Sequence, residues 1–228
     1  MRIPIISYHS IGDENCPLSL SLYEFEKQLI FFKKNNFQSI HFNEIGNQSS
    51  NKFIITFDDG YKDLIENALP LLIKYNFKAT CLIVSNLIGK NNIWDRHNKN
   101  VKNKELMNLS EINYWLKNGM FIGSHSKNHK KLTLLNKKDT VDEIINSKNE
   151  LEDVTGTSIN SFCYPYGLYN QNIVDIVREK YDLAFTTNRS RFDTSKHNKY
   201  LLPRIDMGKA LSKFKLYLKV FTPYEDIH

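Results

Sequence analysis

Two adjacent carboxylates stand where an apolar run ends. Phe53–Phe57 reads Phe-Ile-Ile-Thr-Phe and leads directly into Asp58, Asp59 and Gly60. Successive strand residues face opposite ways, but a turn at the glycine can bring both acids to one rim. There they can divide labour, one binding a metal and the other free as a base. One aspartate before a helix is also accounted for as an N-cap, although two are less easily explained that way. A second group, Gly123-Ser-His-Ser-Lys-Asn-His129, follows another strand-like run. Histidines four apart can present nitrogens to one ion, and an aspartate with two histidines leaves coordination positions open for water and substrate. Taken alone, such a pair is equally well two surface histidines.

Two further groups have the same strand-into-loop setting. Ser161–Gly167 reads Ser-Phe-Cys-Tyr-Pro-Tyr-Gly, an aromatic turn able to wall a groove and aim backbone N–H groups, or simply to pack. His9 ends the first apolar run. A lone histidine is usually structural, but at the same rim it becomes a candidate acid–base group.

The elements that must position these residues alternate along the chain. Strand patterns are expected at Ile3–Tyr8, Phe37–Phe42, Lys52–Phe57, Ala79–Ser85, Met120–Gly123, Ser161–Cys163, Leu183–Thr186 and Leu201–Ile205. Helical patterns are expected at Leu22–Lys34, Leu64–Tyr75 (with Pro70 as an interruption), Ser110–Lys117, Asp139–Val154, near Asn170–Lys180 and near Lys209–Val220. This alternation predicts an α/β fold, a distorted (β/α) barrel of seven or eight parallel strands, with reactive residues at the C-terminal strand ends. The polar stretch Asn86–Asn108 reads as a long loop over one rim. The last helix is expected to pack a stripe of Leu211, Phe214, Leu218 and Phe221 on its own domain. Its lysines are compatible with peripheral membrane contact, which is not favoured.

Bulk properties narrow the classes. The 228 residues suit one domain spanning 1–228 with a substantial core. No apolar run approaches a membrane span and none resembles a signal-peptide core, so a cytoplasmic chain is expected, or a mature form whose leader was removed. Cys16, Cys81 and Cys163 are odd in number and scattered, which argues against a disulfide framework. The net charge of +6 permits an anionic partner, but the lysines are dispersed and no nucleic-acid-binding motif is present.

Together the motifs Thr-Phe-Asp-Asp-Gly (56–60), Ser-His-Ser-x-x-His (124–129) and Tyr-Pro-Tyr-Gly (164–167) resemble the polysaccharide deacetylase family, the NodB-homology domain of carbohydrate esterases. The resemblance extends from the first strand to about Asp206. It implies a distorted β/α barrel holding one divalent metal ion, most often Zn2+, and hydrolysis of an N-acyl group, acetyl above all, on an amino-sugar glycan or sugar precursor. By resemblance Asp58 is the base, Asp59, His125 and His129 are the metal ligands, Ser126 braces the histidine loop, and the Tyr166 N–H helps hold the oxyanion. Two departures stand out. The family's third motif often opens with an arginine paired to the base, and Cys163 occupies that place. The C-terminal Leu-x-x-x-His motif is missing, and after Lys209 only His228 remains. Both departures resemble the branch acting on exopolysaccharides such as poly-N-acetylglucosamine, where the acid histidine comes from the first strand. This assigns the acid to His9. Arg204 is then expected to pair with Asp58 and Asp206 to orient His9. The alternatives are a non-catalytic glycan-binding protein on this scaffold, a hydrolase of another non-peptide C–N bond such as a sugar formamide, and a non-haem iron enzyme with the same Asp-His-His set, which leaves the second carboxylate and His9 unexplained.

Overall fold

The computed structural model describes residues 2–12, 16–45 and 51–226. Eight parallel strands form the main sheet: β1 (Ile5–Tyr8), β2 (Gln38–Ser39), β3 (Lys52–Phe57), β4 (Thr80–Ile83), β5 (Phe121–Ser124), β6 (Ser161–Cys163), β7 (Leu183–Phe185) and β8 (Ile205–Asp206). Their order is β7-β6-β5-β4-β3-β1-β8, with β2 beside the start of β3. Leu202, just ahead of β8, bridges to Phe185 of β7, so the two edges meet and the sheet curls into a distorted barrel.

Apart from the two-residue strands β2 and β8, the strands are buried on both faces, as parallel strands under a helical layer must be. Ile5, Ile54, Leu82, Cys163 and Phe185 pack together in one cluster that fills the barrel. Their neighbours Ile6, Ile55, Cys81, Phe162 and Ala184 belong to a second cluster beneath the helices. The interior is tight at β5. A Cβ on Gly123 would lie 2.3 Å from Ser161 Oγ and 2.7 Å from Leu82 Cδ2, so only glycine fits there.

Helix Leu22–Lys34 shows how the outer layer is built. Ser21 caps it by accepting the Glu24 N–H, and Phe25, Leu29 and Phe32 at helical spacing are buried. Phe32 stacks on Phe53 of β3 with ring centroids 4.3 Å apart. Burial of each such ring contributes roughly 1.5–3 kcal/mol. From the same helix, fully buried Gln28 accepts the Tyr8 hydroxyl proton and donates to the Met207 and Lys209 carbonyls. One amide thereby ties the end of β1, the first helix and the chain beyond β8 into one unit.

Several expectations shift for local reasons. The strand expected over Phe37–Phe42 is only Gln38–Ser39, because His41 caps a short turn at Phe42–Glu44. Two expected helices contain π-turns: Leu64–Ala68 runs into Leu69–Tyr75, and Asp142–Asn146 joins Lys137–Val141 to Ser147–Thr155. The first π-turn immediately precedes Pro70, whose missing N–H a regular helix would need. The last helix starts at Lys213 with Ser212 as its cap. Of the expected stripe, Leu211 is buried in the core and Phe221 packs its ring against Phe31 and Phe37, but Phe214 is 71% exposed, and Leu216, Lys219 and Val220 are buried in its place. No helix among the described residues is long and apolar enough to cross a membrane. All three cysteines are free and buried.

Candidate active site

Strand parity aims the site. Residues in step with inward-facing Ile5, Ile54 and Cys163 also point into the barrel. His9 continues β1 in that step, as Thr56 and Asp58 do on β3, while His125 continues β5 in step with Gly123. Arg204 precedes outward-facing Ile205. Among the described residues a cavity of about 390 Å³ at this rim is lined by His9, Asp58, Asp59, Trp94, Asp95, His125, His129 and Tyr166. The structure therefore brings His9 and all three motifs to one place.

Arg204 holds Asp58 with both ends of its fork, Nη1 at 2.6 Å from Oδ1 and Nη2 at 2.7 Å from Oδ2. Its remaining donors reach Thr56 Oγ1 and the Thr186 carbonyl. Both side chains are almost fully buried. Burial alone would raise the Asp58 carboxyl. The guanidinium outweighs it and holds the group well below the usual carboxylate range, while Asp58 raises Arg204 in return. Cys163 sits where the arginine of the third motif was expected, and its Sγ lies 3.2 Å from Arg204 Nη2. The last strand thus delivers the guanidinium to the place that β6 leaves vacant with a small side chain.

Asp59 leaves the strand parity because its backbone turns left-handed (φ 74°), followed by Gly60 (φ 79°). Its Oδ1 is buried without a hydrogen-bond partner, 3.5 Å from His125 Nε2 and 3.4 Å from His129 Nε2. The His125 Nδ1 lies 2.9 Å from the Cys163 carbonyl, which can only accept, so Nδ1 carries the proton and Nε2 turns its lone pair toward Asp59. Burial raises the Asp59 carboxyl despite His9 and His125, and burial with the charges of His125 and His9 pushes His129 well below its ordinary value. An orphaned carboxylate oxygen between two imidazole nitrogens is the donor set of a divalent cation, and these three residues fit one. Asp58, His125 and Cys163 also converge, but Arg204 occupies both Asp58 oxygens and donates to the Cys163 Sγ, so a guanidinium already fills that place.

The histidine loop is braced on two sides. Ser126, left-handed at φ 65°, accepts the His129 N–H at 3.0 Å. Glu143 accepts from the Asn128 N–H and from its side-chain amide, both at 2.8 Å, and its carbonyl accepts the Lys127 N–H. Glu143 lies in the second π-turn, which a reading by helical period does not detect.

His9 Nε2 is 3.9 Å from Asp58 Oδ2, and the ring is one-third exposed to the pocket. Tyr166 takes φ 60° in the aromatic loop. Gly167 and Leu168 donate to the Tyr164 and Pro165 carbonyls, and among the described residues no acceptor takes the Tyr166 N–H. Its ring packs edge-on to His129 at 4.6 Å. Asp206 lines a second, smaller cavity with His9, Asp58 and Arg204. It pairs in register with Ser7, two residues short of His9, and its Oδ1 accepts the Gly208 N–H. Among the described residues no hydrogen bond joins it to His9. His228 lies outside the described residues.

Of the aromatic residues Trp94, Trp115, Tyr164 and Tyr169, Trp115 is core and donates to the Phe121 carbonyl, and Tyr164 is buried with its hydroxyl on the Tyr200 carbonyl. Tyr169 is partly buried and accepts from Asn188. Trp94 does reach the pocket, its ring 4.4 Å from that of His129. Asp95 and Glu143 were missed by sequence reasoning. The one signal available for Asp95 was its adjacency to Trp94.

Comparison with known proteins gives concordant results. The model of the family described as polysaccharide deacetylase matches residues 45–182. The poly-beta-1,6-N-acetyl-D-glucosamine N-deacetylase of Staphylococcus aureus is 26% identical over 213 residues, covering 88% of this chain and 71% of that one. The YxkH protein of Bacillus subtilis is 26% identical over 219 residues, covering 92% and 73%. Among solved structures, the Streptococcus pyogenes deacetylase PplD in complex with acetate superposes with a TM-score of 0.84 at 24% identity, covering 96% of this chain and 98% of that one, a likeness of fold.

Proposed function

Since the chain belongs to the polysaccharide deacetylase family, we propose that it hydrolyses the N-acetyl group of an amino sugar within a glycan, with Asp59, His125 and His129 holding one divalent cation. Zinc suits a donor set of one carboxylate and two imidazoles. The observation that carries this reading is the convergence of an arginine-held carboxylate, an orphaned carboxylate oxygen, two imidazole nitrogens and a third histidine on one pocket.

An amide is a poor electrophile and an amine a poor leaving group. When bound, the cation supplies Lewis acidity, polarising the acyl oxygen and lowering the pKa of a water toward ~7. Asp58, kept ionised by Arg204, accepts the proton of the attacking water. A carboxylate held this low is a weak base toward bulk water, so its task suits a water whose acidity a bound cation would raise. The Tyr166 N–H donates to the developing oxyanion, a contact of a kind worth about 3–4 kcal/mol. His9, protonated, gives its proton to the departing nitrogen. Its place beside Asp58 lets donor and acceptor serve successive steps on the same small group. A merely glycan-binding protein would not need the full set of base, acid and ligand residues.

The deciding experiment is acetate release from N-acetylglucosamine oligomers by zinc-loaded protein. Release by the wild type, with none from a zinc-replete Asp58→Asn variant, is the expected result. Equal release by both would refute the scheme.

A further inference from the structure

The loop between β4 and β5 brings to the pocket a carboxylate that the reaction above does not use. Asp95 lines the cavity together with His9, next to Trp94. Among the described residues no lysine or arginine pairs with it, and its side-chain donors are the Asn92 amide at 3.4 Å and the Trp94 side chain. Burial raises its carboxyl, with the Asn92 and Trp94 side chains and then His9 pulling the other way. The loop that carries it is rigidly built. Asn92, 1% exposed, accepts the Lys104 N–H at 2.7 Å and donates to the Lys102 carbonyl at 3.1 Å. Asn91 bridges to Glu105, Tyr61 bridges to Leu106, and Lys104 Nζ reaches Asp63 at 2.6 Å. The Trp94–Asp95 turn is thus fastened at its base and presents one flat ring and one acceptor to whatever lies over the ligand cluster.

A half-buried carboxylate with no cation is a costly group to leave unmatched, and a sugar hydroxyl or ammonium is the donor that matches it. A carboxylate or phosphate on the sugar would instead meet like charge in a confined site. We infer that Asp95 is a specificity-determining residue: it accepts hydrogen bonds from the hydroxyl or amine groups of the hexosamine being processed and excludes sugars that carry an anionic substituent there. The substrate class is therefore an unsubstituted N-acetylhexosamine chain, neutral or already partly amine-bearing. This rests on the N-deacetylase reading for the identity of the sugar, but it is tested by binding.

Zinc-loaded wild type, Asp95→Asn and Asp95→Ala are titrated calorimetrically with a pentamer of N-acetylglucosamine and with the same pentamer bearing 3-O-carboxyethyl groups. Zinc content and Tm are measured on each protein. Loss of a charge-assisted contact predicts about 10- to 100-fold weaker binding of the neutral pentamer by Asp95→Ala. The wild type should discriminate against the carboxyethylated pentamer, and the isosteric Asp95→Asn should narrow that preference. Neutral-pentamer affinity within two-fold of wild type in Asp95→Ala, a wild-type preference for the anionic pentamer, or no binding of either would overturn the inference. Acetate release is followed on the same samples. Discrimination that depends on Asp95 without any release by the wild type would sink the hydrolase reading and leave this one standing.

Discussion

Arg204 closes on Asp58 as a two-pronged clamp from the opposite end of the chain, both of its contacts under 3 Å and both partners out of water. Removing one partner of such a pair strands a buried charge, which typically costs about 3–5 kcal/mol. Arg204→Ala should therefore lower the urea midpoint by a corresponding amount as well as impair turnover. Arg204→Lys should recover little, because a point charge cannot reach Thr56, Thr186 and two carboxylate oxygens together. Since the pair holds the Asp58 pKa below its unfolded value, its stabilisation is present above about pH 4 and is lost only as the pH falls through the folded value. A loss under 1 kcal/mol in Arg204→Ala would contradict the clamp.

The position of Cys163 suggests a rescue. An arginine introduced there can approach Asp58 from β6, with Cys163 Sγ now 3.9 Å from Asp58 Oδ2. In an Arg204→Ala background, Cys163→Arg should restore part of the lost stability and turnover. In the wild-type background the same change should be destabilising, because two guanidiniums would compete for one carboxylate. Additive effects in the double-variant cycle would argue against a shared partner.

The cation cluster predicts a ligand-dependent melting temperature. Binding to the folded state alone stabilises by about 2.7 kcal/mol at a hundred-fold excess over Kd. Zinc should raise Tm, a chelator should reverse the rise, and both His125→Ala and His129→Ala should abolish it. A zinc-dependent shift that survives in both variants would place the ion elsewhere.

Tyr166 separates backbone from ring. Its φ of 60° is a conformation that glycine adopts freely, and the N–H is retained in Tyr166→Gly. That variant should keep kcat within a few-fold while changing KM through loss of the half-exposed ring. A loss of kcat as large as that of Asp58→Asn would mean that the phenol itself takes part.

His41 carries a pH dependence away from the site. Its ring is packed against Phe42 and Phe121, and burial pushes its pKa down to about 4. The unfolded chain takes up this proton near pH 6.5, so between about 6.5 and 4 the unfolded state binds more protons and stability falls as the pH falls. Thermal melts across this window should show a shallower decline for His41→Asn than for the wild type. Parallel declines would exclude His41 as a contributor.

How far the site was legible follows from where each residue stands. His9, Asp58, His125 and Cys163 end inward-facing strand steps, and strand alternation is a local pattern that a sequence displays. Asp59 was legible through Gly60, which announces the turn. The Arg204–Asp58 pairing came only from noticing that an arginine was missing from the third motif, since nothing local marks a partner 146 residues away. Asp95 and Glu143 lie in a non-periodic loop and in a π-turn, and neither setting has a repeat to read. In the last helix the expected stripe holds at Leu211 and Phe221 and fails at Phe214, because Leu216 and Val220 are the residues that turn inward.

The bridge between Leu202 and Phe185 that completes the barrel has a temporal consequence. Arg204 enters with the same segment, and Gln28 locks the following carbonyls onto the first helix. During synthesis the nascent chain can therefore assemble its cation ligands well before it can neutralise Asp58. Until the closing strand emerges and docks, that carboxylate must stay hydrated or protonated. Enzymatic competence should thus arrive late and abruptly, as a read-out that the segment carrying Leu202 and Arg204 has docked.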